Sequence, residues 1–404
     1  MAANHWPLAV SIHQDNHPDS DHDCADISQV DPRRYRKTDM LWASPSCTKH
    51  SIARGKASDP TDVDAERSRA TMWDVQRFAE HHDYRYIFVE NVCEVRKWVG
   101  FRAWWIAHED LGYCMHEVFH NAAFAGQLGD AAAQWRDRWF CMMHPKGTKC
   151  PDLDRWISPD AWCSNCERVV SGYQWWKNPA KQAGKYKAQY LFKCRECRNV
   201  VEPITRQASE VIDWSLPAQR IGDRAKPLAE KTLKRVQIGL DRYGSALIPV
   251  EGRDGKQPFP LDAPMRTLTG RNETALMTAP FIAELRGGNS TTRAVSEPLA
   301  TVTASGNHHA LVVPYYSTGT AHPTSEPLGT VTTVDRFGLA KPQGTAVEDC
   351  SLRMLQPEEY AQFQGFPADY QWRGSKRDRV RLAGNAVPTN MARDLVGCAV
   401  ESMA

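Results

Sequence analysis

In "DMLWASPSCTKHS" (residues 39–51) an apolar run, Met40-Leu41-Trp42-Ala43, stops just before Pro45 and presents Cys47 among Thr48, Lys49, His50 and Ser51. A cysteine that only filled space would sit inside the apolar run, since free Cys is among the most buried residue types. One placed just beyond the run is placed to act as a thiolate nucleophile. A second apolar run, Tyr86-Ile87-Phe88-Val89, ends on Glu90, a carboxylate suited to acid–base work. Gln134-Trp135-Arg136-Asp137-Arg138 sets two guanidinium groups at i and i+2, one side of an extended chain. Cys163-x-x-Cys166 and Cys194-x-x-Cys197 have the paired form of a four-thiolate structural zinc site. Cys141, His144 and Cys150 offer an alternative ligand set nearby.

The elements that must position these groups follow from the apolar patterns. "LAVSIH" (8–13), "DMLWA" (39–43) and "YIFVE" (86–90) read as short buried parallel strands. Between the last two, residues 66–82 place Met72, Val75 and Ala79 on one helical face with Phe78 beside them. Strand, helix, strand predicts an open α/β sheet, in which ligands bind outside the carboxyl ends of the strands. Cys47 and Glu90 then share one crevice.

The chain divides as 1–149, the first part of the α/β domain; 150–200, a turn-rich, zinc-ribbon-like insertion; 201–346, a small β-rich domain; and 347–404, the closing part of the α/β domain. The third segment has a helical stretch around 223–242 and then a Pro-x-x-Thr-(Leu/Val)-Thr repeat in "APMRTLTG" (263–270), "EPLATVTA" (297–304) and "EPLGTVTT" (326–333). "NETALM" and "NHHALVV" read as partner strands after polar turns. The last segment carries helical "QPEEYAQFQGF" and "LAGNAVPTNMARDLVGCAV", a glycine loop opening a helix.

Composition removes some functions. With 50 basic and 48 acidic side chains the net charge is +2, so a nucleic-acid partner does not follow from total charge. Basic surface would have to be local, as at Arg373, Lys376, Arg377, Arg379 and Arg381, or at Lys177, Lys181, Lys185 and Lys187 beside Trp175 and Trp176. That last group reads equally as a solvated hairpin with two packing tryptophans. No apolar run approaches a membrane span, and the first thirty residues do not resemble a signal peptide. The twelve cysteines are therefore expected to be reduced, in a bacterial cytoplasm or from a phage genome, and available for metal or catalysis.

Five stretches, in order, resemble the motifs of the DNA (cytosine-5) methyltransferases: Pro45-Ser46-Cys47, with one residue between the usual proline and cysteine; Glu90-Asn91-Val92; "QWRDR"; "RMLQPEEYAQFQGFP"; and "GNAVPTNMA". The resemblance covers roughly residues 1–145 and 347–404, while the intervening region corresponds only in position to the family's variable target-recognition domain. It implies an S-adenosylmethionine-dependent methyltransferase sheet acting on double-stranded DNA, as a monomer, for modification or for protection from restriction. Cys47 would add to C6 of a flipped-out cytosine and make C5 enamine-like. Glu90 would protonate N3, and Arg136 and Arg138 would steady the pyrimidine carbonyl and the cysteine loop. Asp26 and Ile27 would meet the adenine, with Pro45, Asn385 and Val387 also at the cofactor. The family's acidic ribose ligand is expected after the second strand, where this sequence has His13 or Gln14, or else Asp15.

The family also begins with a strand and a Phe-x-Gly-x-Gly loop, and "MAANHWPLAV" resembles the segment after that loop. The expectation is poor cofactor binding by these residues alone, the missing strand coming from upstream or from a companion polypeptide. Two other functions fit the residues: a zinc-containing DNA-binding protein with an impaired core, and a methyltransferase for RNA cytosine.

Overall fold

Strand β1 (Ala2–Asn4) leads into Pro7, and Pro7 opens a helix, α1 (Pro7–Asn16), where the run at 8–13 predicts a strand. The reason is local. Proline at the first helical position gives up an N–H that would be unpaired anyway and arrives with its φ preset. Leu8 and Ile12 are four apart and share a face, and Ile12 is buried. There follow β2 (His22–Cys24), β3 (Met40–Ala43), α2 (Val63–His82), β4 (Tyr86–Asn91), α3 (Phe101–Asp110), β5 (Tyr113–Asn121) and β6 (Asp137–Pro145). The computed structural model describes residues 1–46, 63–251, 255–278, 281–284, 292–294, 309–312 and 346–403. Cys47 and the repeats at 297–304 and 326–333 lie outside the described residues.

Two sheets form from these strands. β1 and β2 pair in parallel, and a second sheet has the order β3-β4-β6-β5. β3 runs parallel to β4 with Ala43 opposite Val89, whereas β6 is antiparallel to both β4 and β5. The second sheet is covered on both faces, which explains the unbroken apolar run of β4. One face carries Ile87, Val89, Phe119, Trp139 and Met143 against Met72, Val75 and Phe78 of α2 and Trp104 of α3. The other carries Tyr86, Phe88, Val118, Phe140 and Met142 against Met391, Leu395 and Cys398 of the C-terminal helix.

After α4 (Leu153–Trp156), strands β7 (Asp160–Cys163), β8 (Arg168–Trp176), β9 (Tyr190–Cys194) and β10 (Val200–Pro203) close into a small barrel of order β10-β7-β8-β9. Met1–Arg206 and Ala361–Ala404 make one compact unit, and Gln207–Tyr360 make a second.

The second unit contains β11 (Gln219–Arg220), α5 (Glu230–Tyr243), β12 (Ala246–Pro249), β13 (Thr274–Thr278), β14 (Phe281–Glu284), β15 (Thr292–Ala294), β16 (His309–Val312) and β17 (Ser351–Met354). Its sheets are β11-β17-β13-β12 and β15-β14-β16. Val236 and Leu240 of α5 pack on Ala246 and Ile248. The "NETALM" and "NHHALVV" stretches contain β13 and β16, paired with β12 and β17 and with β14 respectively. The chain ends with α6 (Pro357–Phe363), α7 (Lys376–Asn385) and α8 (Thr389–Met403). No described helix is long and apolar enough to cross a membrane.

Candidate active site

Strand register brings Glu90 and Arg138 together. Glu90 stands opposite Phe140, so Arg138, two residues along β6, lies on the same face of the sheet. Arg138 Nε lies 2.8 Å from Glu90 Oε1, with each side chain only 11% exposed. His120 of β5 stands opposite Arg138. It is buried, and neither ring nitrogen has a hydrogen-bond partner among the described residues. Burial holds its pKa down at about 3, so the ring is neutral.

The strand end that bears Glu90 also holds the backbone ahead of Cys47. Asn91 Nδ2 donates to the Pro45 carbonyl at 3.2 Å, while its Oδ1 accepts from the Val92 N–H at 2.9 Å. The Ser46 N–H donates to Thr71 Oγ1 at 3.1 Å.

Arg136 serves the closing turn. Its Nη2 donates to the carbonyls of Gly384 (3.1 Å) and Ala386 (3.0 Å), which flank Asn385. Asn121 Oδ1 accepts from the backbone N–H of Ala123 and of Arg136, both at 3.0 Å. α7 stops at Asn385 because Pro388 cannot continue it. α8 is then fastened by Asn390, whose Nδ2 donates to the Ala122 and Ala125 carbonyls at 2.9 and 2.6 Å. Asp394 accepts from the N–H groups of Gln127 (2.8 Å) and Leu128 (3.1 Å). Burial raises the Asp394 carboxyl above its usual range, and those two donors oppose the shift. Asn385 is exposed, and Val387 packs against the Phe88 and Phe140 cluster.

Asp26 and Ile27 follow the carboxyl end of β2. Asp26 caps a 3-10 turn (Ile27–Gln29), its Oδ1 accepting from the Ser28 N–H at 3.1 Å. Arg77 of α2 fastens that turn, its Nη2 donating to the Ile27 carbonyl at 2.6 Å. A carboxylate acceptor and a half-buried isoleucine past a parallel strand suit an aminopurine ring. The ribose expectation moves, because His13, Gln14 and Asp15 lie on α1 and Asp15 pairs with Arg373 at 2.9 Å. The strand before them ends at Asn4.

The four cysteines of the barrel converge from two similar turns, β7 to β8 and β9 to β10. Cys163 and Cys197 sulfurs are 3.4 Å apart, Cys166 and Cys194 sulfurs 3.9 Å, and all four lie within 4.8 Å of one another. A tetrahedral ion with sulfur ligands at about 2.3 Å sets sulfur–sulfur edges of about 3.8 Å. The residue after each second cysteine, Glu167 and Arg198, adopts a left-handed φ of 51° and 63°. The donor set therefore fits a zinc-class ion. Cys141 of the alternative set is fully buried with Trp139 and Met143, on the sheet face opposite to that of Met142. Strand alternation thus turns it away from His144.

Three of the four lysines of the hairpin have partners within the chain. Lys185 pairs with Glu94 at 2.7 Å, Lys187 with Glu202 at 3.0 Å, and Lys177 Nζ donates to the Lys187 carbonyl at 2.6 Å. Trp176 packs against Phe119 and Tyr190. This is the solvated-hairpin reading.

The sequence reading passed over His120, Asn121, Asn390 and Asp394. Polar residues at the end of a strand and on the inner face of a helix signal them, but their partners are distant in the chain.

The family model described as C-5 cytosine-specific DNA methylase matches residues 1–209 and 253–399. No curated protein matches the chain. Among solved structures, a mutant DNMT2 of Spodoptera frugiperda is similar with a TM-score of 0.52 at 13% identity, over 99% of this chain and 91% of that one. The Dnmt2 methyltransferase of S. pombe is similar with a TM-score of 0.50 at 14% identity, over 100% of this chain and 90% of that one. At these identities the likeness is one of fold, an α/β methyltransferase fold.

Proposed function

The chain belongs to the C-5 cytosine-specific DNA methylase family, and from that premise we propose that it methylates C5 of a cytosine in double-stranded DNA. One observation carries this reading. The ion-paired Glu90 sits on a strand end whose Asn91 hydrogen-bonds Pro45, two residues before Cys47. In this proposal the acid of Glu90 and the thiol of Cys47 meet at one crevice.

S-adenosylmethionine, when bound, supplies an electrophilic methyl group; Asp26, Ile27, Pro45, Asn385 and Val387 would hold it. The remaining work falls to the chain. The target base must leave the helix to reach these groups. Cys47 Sγ forms a bond to C6 while N3 takes a proton from Glu90, which makes C5 enamine-like. After methylation, loss of the C5 proton to a base, expulsion of Cys47 Sγ as thiolate and return of the N3 proton to Glu90 restore the ring. Arg138 orients Glu90, and Arg136 holds the turn that presents Asn385. Target choice resides in residues 201–346, which supply loops rather than acid–base groups.

One structural feature completes the proposal. Cys163, Cys166, Cys194 and Cys197 hold a structural zinc that closes the barrel.

The test is trapping on a duplex containing 5-fluorocytosine, with S-adenosylmethionine and the full chain. The fluorine cannot be lost as a cation, so wild type should remain covalently bound and Cys47→Ala should not. Equal trapping of Cys47→Ala would refute the nucleophile. Tight DNA binding without any labelled methyl transfer would favour a binding protein instead.

A further inference from the structure

At the end of the β5–β6 hairpin lies a second convergence of metal-ligating atoms, remote from Glu90 and Arg138. We infer that His116, His144 and Cys150 hold a divalent ion of the zinc class in a three-ligand site, separate from the four-cysteine cluster.

The register builds it. Cys114 stands opposite His144, and His116 is two residues further along the same face of β5, so the two histidines meet diagonally across the strand pair. The turn after β6 brings Cys150 back to them. That turn is fixed by the Lys146 N–H donating to the Gly112 carbonyl at 2.8 Å and by Gly147 at a φ of 85°.

His116 Nε2 and His144 Nε2 are 3.0 Å apart, and Cys150 Sγ is 3.7 Å from His116 Nε2. The three ligand atoms all lie within 4.8 Å of one another. A tetrahedral zinc with usual bond lengths sets edges of about 3.4 Å between nitrogens and about 3.6 Å between nitrogen and sulfur. The nitrogen–sulfur separation corresponds closely, and the two nitrogens stand about 0.4 Å inside the nitrogen–nitrogen edge.

One histidine tautomer can be assigned. Thr148 Oγ1 has a single hydrogen and donates it to the Pro145 carbonyl at 2.7 Å. His144 Nδ1, 2.8 Å from the same oxygen, must therefore be the donor in that contact. With Nδ1 protonated, His144 Nε2 presents a lone pair to the cluster, the arrangement metal-ligating histidines receive from a fixed partner on the other nitrogen.

Two imidazoles and a thiolate select zinc-class ions over magnesium or calcium, which prefer oxygen. Cys150 is exposed, so a fourth position is open to water. Arg138 and His144 are six residues apart on one strand, roughly 20 Å. The ion is therefore a staple between the hairpin and the segment leading to the barrel, not a participant at the base.

The rival reading is a plain hydrogen bond between the two rings, with no ion. Metal analysis of the full chain, expressed in zinc-containing medium and freed of loose metal, separates the two. Wild type should carry one more zinc per chain than His116→Ala/Cys150→Ser, with the secondary structure of the two matching by circular dichroism. Should that double variant fail to fold, Cys150→Ser alone serves, since the residue is exposed; it should lose one zinc to a chelator at least tenfold faster than wild type. Cobalt(II) loaded in place of zinc should show a second, weaker set of d–d bands that disappears in Cys150→Ser. Equal zinc content and equal release in wild type and these variants would overturn the site. So would loss of all zinc on changing Cys163 and Cys194 alone.

Discussion

Two buried arginine–glutamate pairs among the described residues have opposite character. In the second unit, Glu359 Oε1 accepts from Arg353 Nη2 (2.7 Å) and the Asp213 N–H (2.9 Å), and its Oε2 accepts from Arg353 Nη1 (2.8 Å) and the Gln356 N–H (2.7 Å). Arg353 Nη2 also donates to the Asp213 carbonyl at 2.8 Å. Both carboxylate oxygens and both terminal guanidinium nitrogens are satisfied. In the first unit, Glu90 meets Arg138 through one nitrogen at 2.8 Å, with the unpartnered His120 opposite that arginine. A buried pair is favourable only when its remaining hydrogen bonds are made. Glu359–Arg353 is built to hold a fold; Glu90–Arg138 has fewer of its hydrogen bonds made among the described residues.

Substitution should therefore have crossed effects. We predict that Glu90→Gln, nearly isosteric, lowers methyl transfer about a hundredfold or more and costs less stability than Glu359→Gln, because it gives up one contact to an arginine and not a carboxylate with four donors. Glu359→Gln should do the reverse, costing about 3–5 kcal/mol because Arg353 is left charged and buried. Single-turnover methylation and urea denaturation of both variants decide it. If Glu90→Gln is the less stable of the two, the contrast between the pairs is wrong.

Arg136 sharpens the same comparison with a smaller effect. Its guanidinium spans two carbonyls on either side of Asn385, so Arg136→Lys should loosen the cofactor side of the site and leave Glu90 in place. Hydrogen bonds from a charged donor contribute about 1.5–3 kcal/mol, so KM for S-adenosylmethionine should rise about tenfold with kcat little changed. A fall in kcat at unchanged KM would move Arg136 to the base.

The elements around these pairs were unequally legible. β4 and the Met72/Val75/Ala79 face of α2 are readable because each buries a continuous stripe or run, and periodicity reports burial directly. The two Cys-x-x-Cys pairs are readable because each closes within one turn. β1 was hidden: Ala2, Ala3 and Asn4 form too short and too polar a strand to stand out. α1 was misread because six residues with two apolar spacings fit strand and helix alike until Pro7 is given its proper weight. The partners of Arg136 lie some 250 residues away at Gly384 and Ala386, and no local pattern encodes such a contact. The same holds for His116 and His144, which only the β5–β6 register brings together.

The last predicted effect, on acid stability alone, concerns His120. Its folded pKa is about 3, and burial is the cause; the only charged side chain opposite it in register is Arg138, which is no partner for a cation. Because the folded value lies below the unfolded value of about 6.5, the fold favours the neutral ring. That contribution is fully present above pH 6.5 and is lost as pH falls from there toward 3. At pH 5, one and a half units below the unfolded value, the loss amounts to about 2 kcal/mol. His108, His116 and His144 are also held down by burial, so total acid sensitivity is not diagnostic; the difference between variants is. His120→Leu should lose about 2 kcal/mol less than wild type between pH 7.5 and pH 5 by urea denaturation. An identical loss would mean that His120 reaches a partner or water on acidification, and that the Glu90–Arg138 side of the comparison is as well satisfied as the other.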